Sequence, residues 1–440
     1  MQKGKSLNDS KLIKTLFTIA WPIIMANILQ TAYQLIDTFW LGRLGANAVA
    51  AVSISFPILF LILSLGAGLT LAGTVIVSQY KGANDQKMID FTSSQTVVIV
   101  FLISILLAFL GYVAASPLMS LVGAGPEILN DSVTYFQVSS FGFVFLFMFF
   151  VFQSLMRGIG NVLLPMYIVL GTVLLNLVLD PLFIFGFGDI EGYGVEGAAI
   201  ASVITQGLSA AAGLYILFRG KQGIKIKLSC MKLELQWVKR MFELGIPASL
   251  EQSSRAAAMT VMVMLVTSYG SEVVAAYGIG ARILSLVIVP SIGMGIATTT
   301  LVGQNIGAGI GLLLFLFAEN LTAFFVPNDP QVIKDGAEFI RIMSLSFGLL
   351  GVQQVLNGVF NGTRFTQASM LISIFSLWMV RFPVAFILSS KTTLGFEGIW
   401  WAFPISNLIA ALVAFIYYKI GYWKIRTFRN RNEWQQSGMG

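Results

Sequence analysis

Long apolar runs dominate the chain, broken by short polar stretches; the first five cover residues 17–41, 52–77, 96–115, 133–155 and 163–184. A helix rises about 1.5 Å per residue, so each run can cross a hydrocarbon core of about 30 Å. The runs are too long and too evenly apolar for the alternating strands of a membrane barrel. The pattern predicts an all-α polytopic membrane protein of about twelve transmembrane helices.

The pattern also repeats. FTIAWP at 17–22 aligns on FELGIP at 242–247, VAA at 49–51 on VAA at 274–276, and SQYKGA at 78–83 on GQNIGA at 303–308, all at an offset of 225. Further on, Pro126 aligns on Pro330 and MRGIG at 156–160 on FNGTR at 360–364, at an offset of 204. YGVEG at 193–197 then falls on LGFEG at 394–398. Two homologous six-helix bundles are expected, residues 1–218 and 241–440, joined by a basic linker at 219–240. An even helix number in each half makes these parallel repeats, related by a pseudo-two-fold axis along the membrane normal. Such folds hold substrate and ion near the midplane, and rocking of two bundles gives alternating access.

Composition agrees with a membrane solvent: the 440 residues are 56% hydrophobic and 11% charged, against about 25% charged in soluble domains. The net charge of +7 is a matter of topology. Basic residues cluster at Lys3 to Lys14, at Lys81 and Lys87, at Arg219 to Arg240 and at Lys419 to Arg431, while Glu127, Asp131, Asp189, Glu191, Glu196, Glu272, Asp329 and Asp335 fall in the alternate loops. By the positive-inside rule both termini and the linker are cytoplasmic, and no nucleic-acid partner is expected. No cleavable signal peptide is evident, and the plasma membrane of a prokaryote is the expected location. With no His and a single Cys, Cys230, redox chemistry, metal centres and His relays lose their residues, so proton handling falls to carboxylates. A membrane-embedded enzyme would need a catalytic cluster that the sequence lacks; no enzyme activity and no cofactor are expected.

A few polar residues interrupt the spans. Asn27, Gln30, Gln34 and Asp37 recur every three or four residues, one stripe on the first helix, with Tyr33 nearby. Asn176 and Asp180 sit one turn apart on a later helix. Ionisable groups at membrane depth cost at least about 2.5 kcal/mol, so these face the protein interior and are functional candidates. In the second half Met262 stands opposite Asp37 and roughly Phe382 opposite Asp180. Glu251 and Arg255, one turn apart, form a pair able to neutralise itself. Gln353 and Asn357, like Gln153 in the first half, are expected to line a cavity or bond between helices. Pro22 lies fifteen residues before Asp37, placing a candidate hinge about 22 Å down the same helix.

AWPIIMANILQTAYQLIDTFWLG at 20–42, VGQNIGAG at 302–309 with its relative VSQYKGAN, and AAYGIGARI at 275–283 resemble the multidrug and toxic compound extrusion (MATE) family over essentially the whole chain. The resemblance implies a cation-coupled antiporter, driven by H⁺ or Na⁺, that expels amphipathic, often cationic aromatic drugs or toxic compounds. Asp37 with Asn176 and Asp180 resembles the DinF-like branch, whose first-lobe acidic cluster is the cation site; Thr205, and Ala201 through its carbonyl, match its remaining members. Glu251 matches the seventh-helix acid of the NorM-like branch, but residues 343–360 hold no acid, so a second-lobe cation site is not expected. Carboxylate, amide, hydroxyl and carbonyl oxygens suit a proton or a bare Na⁺. A monomer is expected, in contact with membrane lipids. The alternative is a lipid or lipid-linked saccharide flippase, which should line its cavity with several cations; only Arg255, Arg282 and Arg381 lie within spans.

The fall in offset from 225 to 204 leaves the second half 21 residues short between GQNIGAG and LTAFF. IGLLLFLFA alone spans only about 14 Å. The expectation is that the natural protein carries a cytoplasmic loop and the start of the ninth helix here; a true deletion is the alternative.

Overall fold

The computed structural model describes residues 9–122, 124–188, 190–270, 273, 276–277, 311–325 and 330–421. The extreme termini, Arg282 and the 302–309 motif lie outside the described residues, as does the junction at 307–310 where the offset changes. The described chain is helical apart from one ladder of two short antiparallel strands, Gly186–Phe187 and Ile190–Glu191. It forms two compact units: Pro22–Ser249, and Leu250–Gly440 with the N-terminal segment up to Trp21. Seven described helices are long and apolar enough to cross a membrane, eight if one bent pair is a single span.

In the first unit α1 (Asp9–Leu44) runs unbroken through Pro22. It is followed by α2 (Ala46–Gly82), α3 (Gln86–Val113), the short α4 (Ala115–Val122), α5 (Pro126–Gly158), α6 (Leu163–Phe185) and α7 (Gly194–Arg219). α5 is the hub, packed on α2, α3 and α7, and its Phe136, Phe147, Phe152, Leu155 and Met156 are fully buried. Lipid tails offer no hydrophobic drive between helices, so close backbone approach through small residues holds such bundles together. Gly66 of α2 sits under the Phe147 ring, and Gly213 of α7 under Phe152.

The 219–240 stretch is not a free tether. Arg219 ends α7, and the segment after it lies along the start of α3. There the buried Asp90 carboxylate accepts from Lys225 N at 3.0 Å and Gln86 Nε2 at 2.9 Å, and pairs with Lys227 Nζ at 2.9 Å. The buried Gln95 amide donates to the carbonyls of Cys230 and Lys232. The hydrogen bond and charge of Asp90 hold the exposed Lys227 ammonium above the ordinary lysine range. A raised lysine contributes fully at neutral pH, and that contribution fades only as pH climbs through the raised value. α8 (Leu235–Thr267) follows, its Trp237 packed against Tyr80 and Phe91.

In the second unit a helical stretch at 311–316 and a turn at Phe317 lead into α9 (Ala318–Phe325), then α10 (Pro330–Ser344) and α11 (Phe347–Gly362), which meet at a 51° bend. α12 (Thr366–Ile374) passes through a π-helical segment, Phe375–Arg381, into α13 (Phe382–Lys391), and α14 (Glu397–Ile420) closes the unit. Its core joins Phe339, Met343, Phe347, Trp400 and Phe403.

The repeat is written in the backbone as well as in the letters. Positive φ recurs at matched positions: 131° and 104° at Gly45 and Gly270, 55° at both Gly194 and Gly395, 73° and 79° at Gly220 and Gly421. At Gly194 and Gly395 a Cβ meets nothing within 4 Å, so only the left-handed conformation demands glycine. Three residues on, Gly197 presses on the Phe183 carbonyl and its counterpart Gly398 on Leu388.

Alanine at Gly194 or Gly395 is therefore expected to cost about 1 kcal/mol through the backbone alone. Gly197→Ala and Gly398→Ala are expected to cost more, because a carbonyl must move; thermal melts of the four variants check the order, and equal shifts would contradict it. Asp90→Ala removes the anchor of the 220–234 segment, so tryptic cleavage at Lys221, Lys225 and Lys227 is expected to accelerate at least about tenfold, reflecting loss of a charged hydrogen-bond network. An unchanged cleavage rate would show that the segment is held elsewhere.

Candidate functional site

Three helices of the first unit bring the predicted polar residues together. α6 places Asn176 and Asp180 on one buried face, α7 supplies Ser202 and Thr205, and the last turns of α1 supply Tyr33 and Asp37. Asn176, Asp180, Thr205 and Ala201 are fully buried, while Asp37 and Tyr33 are half-buried. The Asn176 amide nitrogen donates to both carboxylates, at 2.6 Å to Asp180 Oδ1 and 3.4 Å to Asp37 Oδ1. The two carboxylate oxygens are thus no further apart than the sum of those distances, and the acids are within hydrogen-bonding reach of each other.

Hydroxyls close the other side. Ser202 Oγ donates to Asp37 Oδ2 at 3.4 Å, and the Tyr33 hydroxyl donates to Ser202 Oγ at 3.0 Å. Tyr33 and Thr205 share a further bond of 2.9 Å, and Thr205 Oγ1 donates to the Ser202 carbonyl at 2.9 Å. Two buried acceptors, Asn176 Oδ1 and Asp180 Oδ2, have no protein partner. Buried acceptors without a donor are rare and costly; a proton or a metal cation satisfies them. Oxygens from carboxylates, amide and hydroxyls are the ligands a hard cation takes.

Not every predicted residue joins this cluster. Asn27 is half-buried, and its carbonyl accepts from Thr31. Gln30 and Gln34 are exposed, and of the stripe on α1 only Asp37, with neighbouring Tyr33, bonds to α6 and α7. Gln153 on α5 is half-buried, its carbonyl taken by Arg157 Nε. The Thr205 hydroxyl turns to the Ser202 carbonyl, not to that of Ala201. Ser202 itself was missed; it follows Ala201 and precedes Thr205 by three residues, a spacing that was open to inspection.

In the second unit Arg255 Nη2 bonds Glu251 Oε1 at 2.7 Å and Ser373 Oγ at 3.1 Å, and Ser373 donates to the same Glu251 oxygen at 3.0 Å. Glu251 Oε1 is thus engaged by its own helix and by α12. Gln353 and Asn357 on α11 are buried, and neither polar atom of the Asn357 amide has a partner. Beyond the shorter connection at 392–396 the match of Gly194 and Gly220 with Gly395 and Gly421 sets the local offset at 201, which puts Ser406 at the place of Thr205. Among the described residues no three His, Cys, Asp or Glu side chains gather as a metal centre.

Comparisons with known proteins agree with this architecture. The MatE family model matches residues 22–182, 247–310 and 309–387. The first-half match is unbroken, whereas the second comes in two pieces meeting at 309–310, where the repeat offset drops. Two Bacillus subtilis (strain 168) relatives, the probable multidrug resistance proteins YpnP and YoeA, are 28% and 26% identical; the alignments cover 96% and 92% of this chain and 98% and 92% of theirs. A crystal structure of MATE in the bent conformation superposes with a TM-score of 0.87 over 96% of this chain and 97% of its own, at 24% identity. The two-lobe, twelve-helix fold is that of MATE transporters. With the family model covering most of the sequence and the fold shared end to end, the chain belongs to the MatE family, as a polytopic membrane transporter and not an enzyme.

Proposed function

We propose that the protein is a cation-coupled multidrug efflux antiporter of the DinF-like kind, exporting amphipathic, often cationic aromatic compounds from a prokaryotic cell. The observation that carries this reading is the pair of carboxylates, Asp37 and Asp180, on one buried amide nitrogen. Two unit charges about 4 Å apart repel by roughly 4 kcal/mol even at an effective dielectric of 20. Such a pair takes up a proton or a Na⁺, in competition with a cationic substrate for the same negative charge. Relatives named multidrug resistance proteins support drugs as the cargo.

The bond lengths support Asp37 as the acid that moves. Asn176 is committed to Asp180 at 2.6 Å, one turn away on the same helix, whereas both bonds to Asp37 are long at 3.4 Å. Loading Asp37 removes the charge that attracts Asn176 and Ser202, so the last turns of α1 loosen from α6 and α7. Pro22, on the same helix, interrupts its hydrogen-bond ladder and lowers the cost of a bend. Ion binding and the bending of α1 are coupled in this way; alternating access follows if substrate release needs the bent form.

The decisive variant is Asp37→Asn, which keeps shape and hydrogen bonding but carries no exchangeable charge. Uptake of ethidium into inverted vesicles energised by a proton or sodium gradient is expected to fall at least about tenfold, the effect of losing roughly 1.4 kcal/mol of coupling, at wild-type expression and melting temperature. Wild-type efflux by this variant would remove Asp37 from the coupling role.

A further inference from the structure

The second unit holds a guanidinium, that of Arg381, beside Ser406, the counterpart of Thr205. Arg381 Nε donates to Ser406 Oγ at 2.8 Å and Nη2 to Asn407 Oδ1 at 2.8 Å, with the guanidinium 4.6 Å from the Phe403 ring centroid. These partners are neutral. Among the described residues no carboxylate lies within ion-pair range of Arg381, and Nη1 has no hydrogen-bond partner. The side chain keeps partial accessibility.

The position makes this costly. Ten helical residues separate Arg381 from the end of α13, about 15 Å at 1.5 Å per residue, which is half of a hydrocarbon core. A cation at that depth costs at least about 2.5 kcal/mol and marks a substrate or ion path by default. The surroundings are built around it. Asn407 is held from the other side by Nδ2 to Ser346 Oγ at 2.9 Å, which fixes the acceptor that orients the guanidinium. Ser369, Ser373 and Ser376 form a buried polar strip on the same continuous helix, ending at the π-helical segment that carries Arg381. Such π segments occur often at functional sites. Ser373 meets Glu251 and Arg255, but that carboxylate is already consumed by its own arginine.

We propose that Arg381 forms an oxyanion site in the second unit, taking the carboxylate or phosphate of an amphipathic exported molecule on Nη1. The site deepens the efflux reading, on which its physiological meaning rests: the first unit exchanges a cation, while the second recognises the acidic end of zwitterionic or anionic cargo. Glu251 and Arg255 add no net charge beside it, so the guanidinium field is uncompensated. A planar guanidinium with two edges already fixed presents its remaining N–H groups in a set direction, which suits oxygen anions.

Binding to purified protein in detergent tests this independently of transport, by fluorescence titration with 1-pyrenebutyrate and its neutral methyl ester. The wild type is expected to bind the acid at least tenfold more tightly than the ester. Arg381→Gln is expected to abolish that preference, leaving ester affinity within twofold, and Arg381→Lys to retain part of it. Equal binding of acid and ester by the wild type overturns the site, whether or not Arg381→Gln folds; so does a preference that survives Arg381→Gln. Competition by phosphatidic acid but not phosphatidylethanolamine would assign the oxyanion to a lipid headgroup, and competition by soluble aromatic carboxylates to cargo. Ethidium efflux by the wild type, measured in parallel, reports on the transport reading alone; its failure with intact acid preference separates the two.

Discussion

The side-chain amide of Asn176 serves two carboxylates with one nitrogen, and the polar half of the first lobe is arranged around that shortage. α6 supplies Asn176 and Asp180, α7 supplies Ser202 and Thr205, and α1 approaches with Tyr33 and Asp37; each hydroxyl bonds another or an acid. A membrane protein cannot send spare acceptors to water, because its surface faces hydrocarbon. The oxygens Asn176 Oδ1 and Asp180 Oδ2 have no protein partner, the feature on which the proposed cation site rests. The scaffold meets the matching need for rigidity through α5, whose buried phenylalanines lie against glycines of α2 and α7.

The duplicated architecture gives an internal control that a single bundle lacks. Turns and close approaches needed for folding occur in both halves, as the φ of 55° at Gly194 and Gly395 shows. Charges do not: Asp37 faces Met262 across the repeat, so the two halves share backbone turns and differ in charge there.

Much of this was legible in the letters. Apolar run length gave the helices, the repeat gave two halves, and the spacing of Asn176 and Asp180 placed both on one face of α6. Gln30 and Gln34 share the period of Asp37 but are exposed, because periodicity gives a direction around a helix and not the depth of its neighbours. Ser202 went unseen since a serine in a small-residue helix carries no signal until a carboxylate is placed opposite it. The docking of the basic segment on Asp90 was equally hidden, because one buried acid on α3 looks like any other membrane-edge charge.

Cation release on substrate binding is the most direct test of the carboxylate pair. Ethidium is added to purified protein in weakly buffered detergent, with a pH-indicator dye reporting protons and a ²²Na⁺ filter assay reporting sodium. The account predicts release of one of these cations by the wild type, and no release by the protein carrying both Asp37→Asn and Asp180→Asn. Undiminished release by that double variant would contradict it and place the exchangeable cation elsewhere in the fold.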